Sequence, residues 1–202
     1  MEGVIFSNTT MLRGVLHDPP RFSHQSREER FYEFSLDVRR LSGAVDTIHI
    51  IARQALLETL DPCGGEKLCV RGELRSFNNK SGVGARLVIT VFAQEIWLDD
   101  GEDENTIALA GVLCKQPNYR VTPMGREICD LMLAVRRRYG RSDYLPCIAW
   151  GLSAREASDW EVGAGVSLTG RIQSRVYQKT VDGVTLEKTA YEVSVIQIAL
   201  IE

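Results

Sequence analysis

The stretch Cys129–Trp150, CDLMLAVRRRYGRSDYLPCIAW, holds two apolar alternating runs on either side of a basic turn. Before the turn, Cys129, Leu131, Leu133 and Val135 fall on one face of an extended chain. After it, Leu145, Cys147 and Ala149 share one face, and Tyr144, Pro146, Ile148 and Trp150 share the other. Period-two alternation predicts strands with one face buried. Pro146 cannot donate to a ladder and implies an edge or bulge. Working outward, Ile107, Leu109, Gly111 and Leu113 form the strand before this pair. Val166, Leu168, Gly170 and Ile172 form one after it, followed by Tyr191–Leu200. Asp182-Gly183 between the last two runs is a hairpin-turn signal. One helix is expected over Ser153–Val162, with Ser153 as N-cap and Glu156 at the capping-box spacing.

The pattern occurs twice. A displacement of 97 residues places Gly14-Val15-Leu16 on Gly111-Val112-Leu113, Pro20 on Pro117, Phe22 on Tyr119, Val38-Arg39-Arg40 on Val135-Arg136-Arg137, and Asp46 on Asp143. A displacement of 98 matches Gly72-Glu73-Leu74 to Gly170-Arg171-Ile172, and one of 104 matches LVITVF from Leu87 to YEVSVI from Tyr191. A repeat of about 100 residues is a duplicated small domain rather than a solenoid. The order strand, strand, strand, helix, strand, strand is that of the OB fold. The expected architecture is therefore all-β: two tandem five-stranded OB-fold barrels, each with one short helix between strands 3 and 4. The domains are expected at 1–98 and 106–202, joined by an acidic linker at 99–105.

Charge is unevenly placed along the 202 residues, whose formal net charge is −3. Residues 1–98 carry 12 Lys/Arg and 12 Asp/Glu, DDGEDEN (99–105) carries five carboxylates, and residues 106–202 carry 12 Lys/Arg against 10 Asp/Glu. The acidity of the chain belongs to a run with no apolar periodicity, which reads as a solvated linker. The apolar content of 44% is ordinary for a globular protein. No window has the roughly 18 continuous apolar residues of a membrane span and no signal peptide is evident, so a cytoplasmic location is expected. The five cysteines, Cys63, Cys69, Cys114, Cys129 and Cys147, form no CxxC pair, and neither a disulfide framework nor a metal site is expected. His17, His24 and His49 have no nucleophile or ligand spacing around them, and no P-loop is present. Neither an enzyme nor a cofactor is expected.

Four segments, PNYRVTPMG (117–125), LMLAVRRRY (131–139), DYLPCIAWG (143–151) and GRIQSRVY (170–177), resemble the bacterial single-stranded DNA-binding protein (SSB) family, in its order and near its spacing. LRGVL, FSLDVRR and VRGEL in the first half resemble the same family more faintly, and the primosomal protein PriB is a near relative by fold. The resemblance implies base stacking on Tyr139, Tyr144, Trp150 and Tyr177. By strand rise, Tyr144 and Trp150 face the same way about 20 Å apart, the span of about three extended nucleotides. Arg136, Arg137, Arg138, Arg141, Arg171, Arg175 and Lys179 flank the rings and are expected on phosphates. Trp97 and Trp160 match no stacking position and are read as packing.

The first copy lacks the rings. The aligned positions are Ser42, Thr47, Arg53 and Asn79, with Phe77 two residues from the last. A weakened binding surface or scaffold is expected there, with Arg39, Arg40, Arg53, Arg71 and Arg75 as the remaining cations. The resemblance implies sequence-tolerant binding of single-stranded DNA in replication, recombination or repair, in a nucleoid-associated protein. It also implies a homodimer that brings four OB domains together, and contact with replication or repair proteins. The sequence ends in QIALIE without the acidic tip usual in the family, so tail-dependent recruitment is not expected. An OB-fold adaptor in a primosome or recombination assembly, and a single-stranded RNA binder, are the alternatives.

Overall fold

The computed structural model describes residues 7–79, 85–137, 140–181 and 184–201, with the side chains of 179, 181, 184 and 186 outside the description. Among the described residues the chain forms twelve strands and two short helices. The first half contains β1 (Ser7–Leu16), β2 (Arg21–Ser26), β3 (Glu29–Arg39), β4 (Val45–Arg53), α1 (Gln54–Leu57), β5 (Lys67–Asn78) and β6 (Leu87–Leu98). The second contains β7 (Glu104–Leu113), β8 (Asn118–Val121), β9 (Glu127–Arg136), β10 (Ser142–Trp150), α2 (Gly151–Ser158), β11 (Gly165–Val181) and β12 (Val184–Leu200).

Each half closes a ring of pairings. In the first, β3, β4, β6, β5 and β1 are neighbours in that order, and β1 returns to β3 at Val15↔Asp37 and Leu16↔Leu36. In the second, β9, β10, β12, β11 and β7 follow the same order, and β7 returns to β9 at Val112↔Ala134 and Leu113↔Leu133. The closing registers are the same after a displacement of 97. The parallel contacts Ile50↔Val91 and Cys147↔Val193 match at 97 on one side and 102 on the other. The final strands therefore correspond two residues away from the displacement of 104 expected from sequence, with the same parity and the same face inward.

Closure explains the repeated glycines. A Cβ on Gly14 would stand 2.5 Å from the Asp37 carbonyl oxygen, and one on Gly111 2.5 Å from that of Ala134. Both lie beside the closing pairs, where two backbones approach too closely for a side chain. Inside the rings, Leu12, Leu16, Leu36, Ile48, Ile50 and Leu68 are buried in the first half, and Ile107, Leu109, Leu113, Leu133 and Leu145 in the second. Each such side chain contributes roughly 1.5–3 kcal/mol of burial. Cys129 and Cys147 are buried among them, and burial pushes the Cys147 thiol well up, as befits an inert core residue.

Three expectations change. Each half has six strands rather than five, because the short strands β2 and β8 pair on the outer edge of β3 and β9. Counted along the chain, the helix follows the fourth strand of each half, which is the third strand of its ring. Helix α2 begins at Gly151, not after Ser153: Gly151 adopts φ +56°, turning the chain straight from β10 into the helix, and the capping box does not form. The acidic run is not fully solvated. Arg13 pairs with Asp99 at 3.1 Å and Glu104 at 3.4 Å, while Lys67 pairs with Asp103 at 2.6 Å. Burial pushes the Asp103 carboxyl up, but the Lys67 ammonium and the Arg39 N–H outweigh it and hold the group below its ordinary value.

Asp182 and Gly183 lie outside the described residues; the flanking Val181 and Val184 are Cα partners. The chain forms two compact units that do not coincide with its two halves. One consists of Thr9–Arg75 and Thr90–Thr106; the other includes Ile107–Glu202 together with Ser76–Ile89, the distal part of the β5–β6 hairpin.

Candidate functional site

Strand β10 sorts its side chains as the alternation requires. Leu145, Cys147 and Ala149 are buried, whereas Tyr144 is 52% and Trp150 36% exposed at opposite ends of the other face. Between them Pro146 is half-buried and Ile148 buried, so the rings form two separate platforms. The parallel contact of β10 with β12 spans only Cys147 and Ile148. Pro146 therefore sits just before this contact begins, and its missing N–H falls where that edge is otherwise open.

Each ring has a distinct setting. Trp150 donates its indole N–H to Ser194 Oγ on β12 at 3.1 Å, which fixes the ring plane while leaving one face to solvent. Tyr144 stands opposite Ala134, a side chain too small to cover it. Tyr177 on β11 is half-buried, with the Arg175 guanidinium 5.8 Å from its ring centroid. Arg175 also lies 3.6 Å from the buried Glu192 carboxylate, which accepts from Gln173 at 3.1 Å. Tyr139 and Arg138 lie outside the described residues, as does the side chain of Lys179.

The arginine run divides. Arg136 and Arg141 are exposed and Arg171 is half-buried, with no ion pair recorded for any of them among the described residues. Arg137 is engaged instead. Its Nε donates to Asp143 Oδ2 at 2.7 Å, its Nη2 donates to Oδ1, and Nη2 also reaches the Ser76 carbonyl at 3.2 Å. Asp143 is fully buried, and its Oδ1 accepts the Ser76 N–H at 2.6 Å. The first half repeats the pair: Arg40 donates from Nε and Nη2 to the fully buried Asp46, both at 2.6 Å. The aligned Arg–Asp spacing of six residues in both halves was the sequence signal for this bond, which geometry assigns to holding the turn after β3 and β9.

The corresponding face of the first half is chemically closed. Thr47, at the Tyr144 position, donates to Asp37 at 2.6 Å, and Asp37 also bonds the His17 ring at 2.7 Å. Asp37 occupies the place of Ala134, so a carboxylate stands where the second half leaves room beside a ring. Arg53, at the Trp150 position, pairs with Glu29 at 2.7 Å and lies 5.2 Å from the Phe92 ring centroid. By the parallel registers, Phe92 corresponds to Ser194. The ring has thus exchanged strands, and two guanidiniums cover it, since Arg75 is 5.9 Å from the same centroid. Arg71 and Arg75 are in turn paired with Glu95 and Glu73. Ser42 and Arg39 are exposed, and Asn79 lies just beyond the end of β5.

Sequence reasoning also missed a groove of about 600 Å³ in the unit that contains Tyr144. Phe77 and Arg86, from the first half of the sequence, line it with Tyr144 and Lys115. Phe77 was noted only as a neighbour of an aligned position, and nothing local in the sequence could have placed it there.

Residues 104–201 match the model of the single-strand binding protein family. A single-stranded DNA-binding protein 3 of Streptococcus agalactiae is 33% identical over 81 residues, covering 37% of this chain and 59% of that protein. A single-stranded DNA-binding protein 2 of Listeria innocua is 32% identical over 81 residues, covering 37% and 51%. The chain thus spans about half to three-fifths of the length of these curated relatives. The crystal structure of the single-stranded DNA binding protein of Thermus aquaticus superposes with a TM-score of 0.79 at 21% identity, covering 98% of this chain and 94% of that one, a likeness of fold.

Proposed function

We propose that this chain, whose residues 104–201 match the single-strand binding protein family, binds single-stranded DNA with little sequence preference, mainly through its second half. The observation that carries this reading is the outer face of β10, where Tyr144 and Trp150 stand exposed while the alternate residues are buried. Stacking on each ring is worth roughly 1–3 kcal/mol per base and does not depend on base identity. Tyr177 is a third platform, with Arg175 beside it. Tyr139 is a fourth by the family pattern.

Arg136, Arg141 and Arg171 supply phosphate contacts, joined by Arg138, Arg175 and Lys179. Arg137 serves differently, because its guanidinium already satisfies a buried carboxylate. The first half, whose face is filled by internal pairs, binds weakly and serves chiefly as scaffold. Each half is an OB-type barrel of five strands with a sixth outside it. A homodimer would assemble four such barrels in a nucleoid-associated protein of replication, recombination or repair.

Titration with oligo(dT) tests the reading. Quenching of tryptophan fluorescence is expected, with affinity falling as salt rises by roughly 0.7 in the log–log slope for each phosphate contacted. Trp150→Ala is expected to weaken binding by about 1–3 kcal/mol, and Arg53→Ala at the aligned position by less. Absence of binding at low salt, or equal losses at the two positions, rejects the proposal.

A further inference from the structure

The groove beside Tyr144 is built by a clamp between distant parts of the sequence. Ser76 on β5 gives its N–H to Asp143 at 2.6 Å, accepts the Tyr144 N–H on Oγ at 2.7 Å, and offers its carbonyl to Arg137 at 3.2 Å. All three of its polar groups are bonded to the start of β10 or the turn before it, and Ser76 is buried. The next residue, Phe77, is thereby held close to Tyr144, and both line the groove. Phe77 is 51% exposed, so its ring is open to a ligand.

The remaining lining gives the groove its chemistry. Arg86 and Lys115 supply two cations, Asn78 and Ser142 supply hydrogen-bonding groups, and Met132 and Leu87 are its apolar side chains. None of the lining residues is a carboxylate. Two exposed rings beside apolar side chains suit a flat aromatic group, and two cations in a lining that holds no carboxylate suit an anion joined to it. A nucleotide combines the two. About 600 Å³ lies within the usual range for sites that take a ligand of this size.

We infer that this groove is a subsite for one nucleotide of a bound single strand, its base held by Phe77 and Tyr144 and its phosphate by Arg86 and Lys115. The first half of the sequence therefore serves the second as a ligand group, replacing none of its own missing rings. The inference rests on the proposed binding of single-stranded DNA and adds Phe77, Arg86 and Lys115 to it. Because the Ser76 clamp consists of protein groups bonded to one another, it restrains both rings, and ordering them costs little on binding.

The experiment is a double-mutant cycle on the full chain with oligo(dT). Phe77→Ala is expected to weaken binding about 5- to 150-fold, the span of one stacking contact, and Phe77→Trp to restore it. Since both rings hold one base, Phe77→Ala in a Tyr144→Ala background is expected to lose much less than it does alone. Phe22→Ala, which removes an equally exposed ring from the other unit, serves as control and is expected to change affinity less than 2-fold. Unfolding midpoints matched to the parent show that the half-exposed Phe77 was removed without loss of the fold. If the parent binds and Phe77→Ala binds as tightly, the groove is not a subsite while single-strand binding stands. If the two substitutions are fully additive, the rings do not share a base. If the parent does not bind, both readings fall.

Discussion

The buried pair of Arg137 and Asp143 offers a measurable separation of structural from ligand-binding arginines. The perturbation is Asp143→Asn, which preserves volume and leaves one oxygen for the Ser76 N–H. It removes the charge that accepts Arg137 Nε at 2.7 Å and Nη2, and places an amide N–H₂ against a guanidinium that has only donors. Two charge-assisted bonds at roughly 1.5–3 kcal/mol each set the upper range. Arg137 keeps 27% of its side-chain surface in solvent and can recover part of its hydration, so a net loss of about 2–4 kcal/mol is expected. The comparison is Asp130→Asn, which breaks the exposed Arg120–Asp130 pair at 2.7 Å and is expected to cost under about 1 kcal/mol.

Urea unfolding followed by fluorescence reads both variants, with Trp150 and Trp160 reporting on the unit that contains Asp143. At a typical slope of about 2 kcal/mol/M the midpoint of Asp143→Asn should fall by about 1–2 M, and that of Asp130→Asn by less than about 0.5 M. If the two midpoints agree within about 0.2 M, the buried carboxylate does not hold the turn. Arg137 would then return to the set of cations available to phosphate.

Two further outcomes follow from named contacts. Gly111→Ala drives a Cβ to within 2.5 Å of the Ala134 carbonyl oxygen at ring closure and is expected to cost at least about 1–3 kcal/mol in denaturant unfolding; a smaller loss means that β7 and β9 do not approach as described. The His17 imidazolium is stabilised by its bond to Asp37, which raises its pKa above the ordinary histidine value. This contribution is fully present below the ordinary value and is lost as pH rises through the raised one. NMR titration should show an elevated His17 midpoint that returns to the ordinary range in Asp37→Asn, and a midpoint already ordinary in the parent contradicts the bond.

What the sequence made legible was mostly what depends on neighbours two residues apart. Alternation located the ring strands of the second half, and the repeat set Gly14 on Gly111, the glycines that the structure places at ring closure. Strands β2 and β8 escaped notice because they lie outside the rings and carry exposed residues on both faces, or nearly so, leaving no alternation to read. The start of α2 was misplaced because a left-handed glycine, not a side-chain cap, begins it. DDGEDEN looked solvated because its partners, Arg13 and Lys67, are remote in sequence. The groove was illegible for the same reason, since Ser76 and Asp143 are separated by 67 residues. Three successive arginines look alike in sequence, but among the described residues it is Arg137 that satisfies Asp143.

The two halves share a scaffold and differ in how far the outer face satisfies itself. Closing registers, close-approach glycines and buried Arg–Asp pairs occur in both. On the face, Tyr144 beside Ala134 becomes Thr47 bonded to Asp37, and Trp150 bonded to Ser194 becomes Arg53 over Phe92. A strand binding the first half would have to displace guanidiniums from carboxylates and rings before gaining contacts of its own. A strand binding the second half would displace little beyond water from Tyr144 and Trp150. Counting aromatics or arginines therefore misjudges such a surface: Phe92, Arg53 and Arg75 are present in the first half, but each is already the partner of another. A ring or cation contributes to affinity only where the fold leaves it without a partner or sets it, as the Ser76 clamp sets Phe77, beside another that is also open.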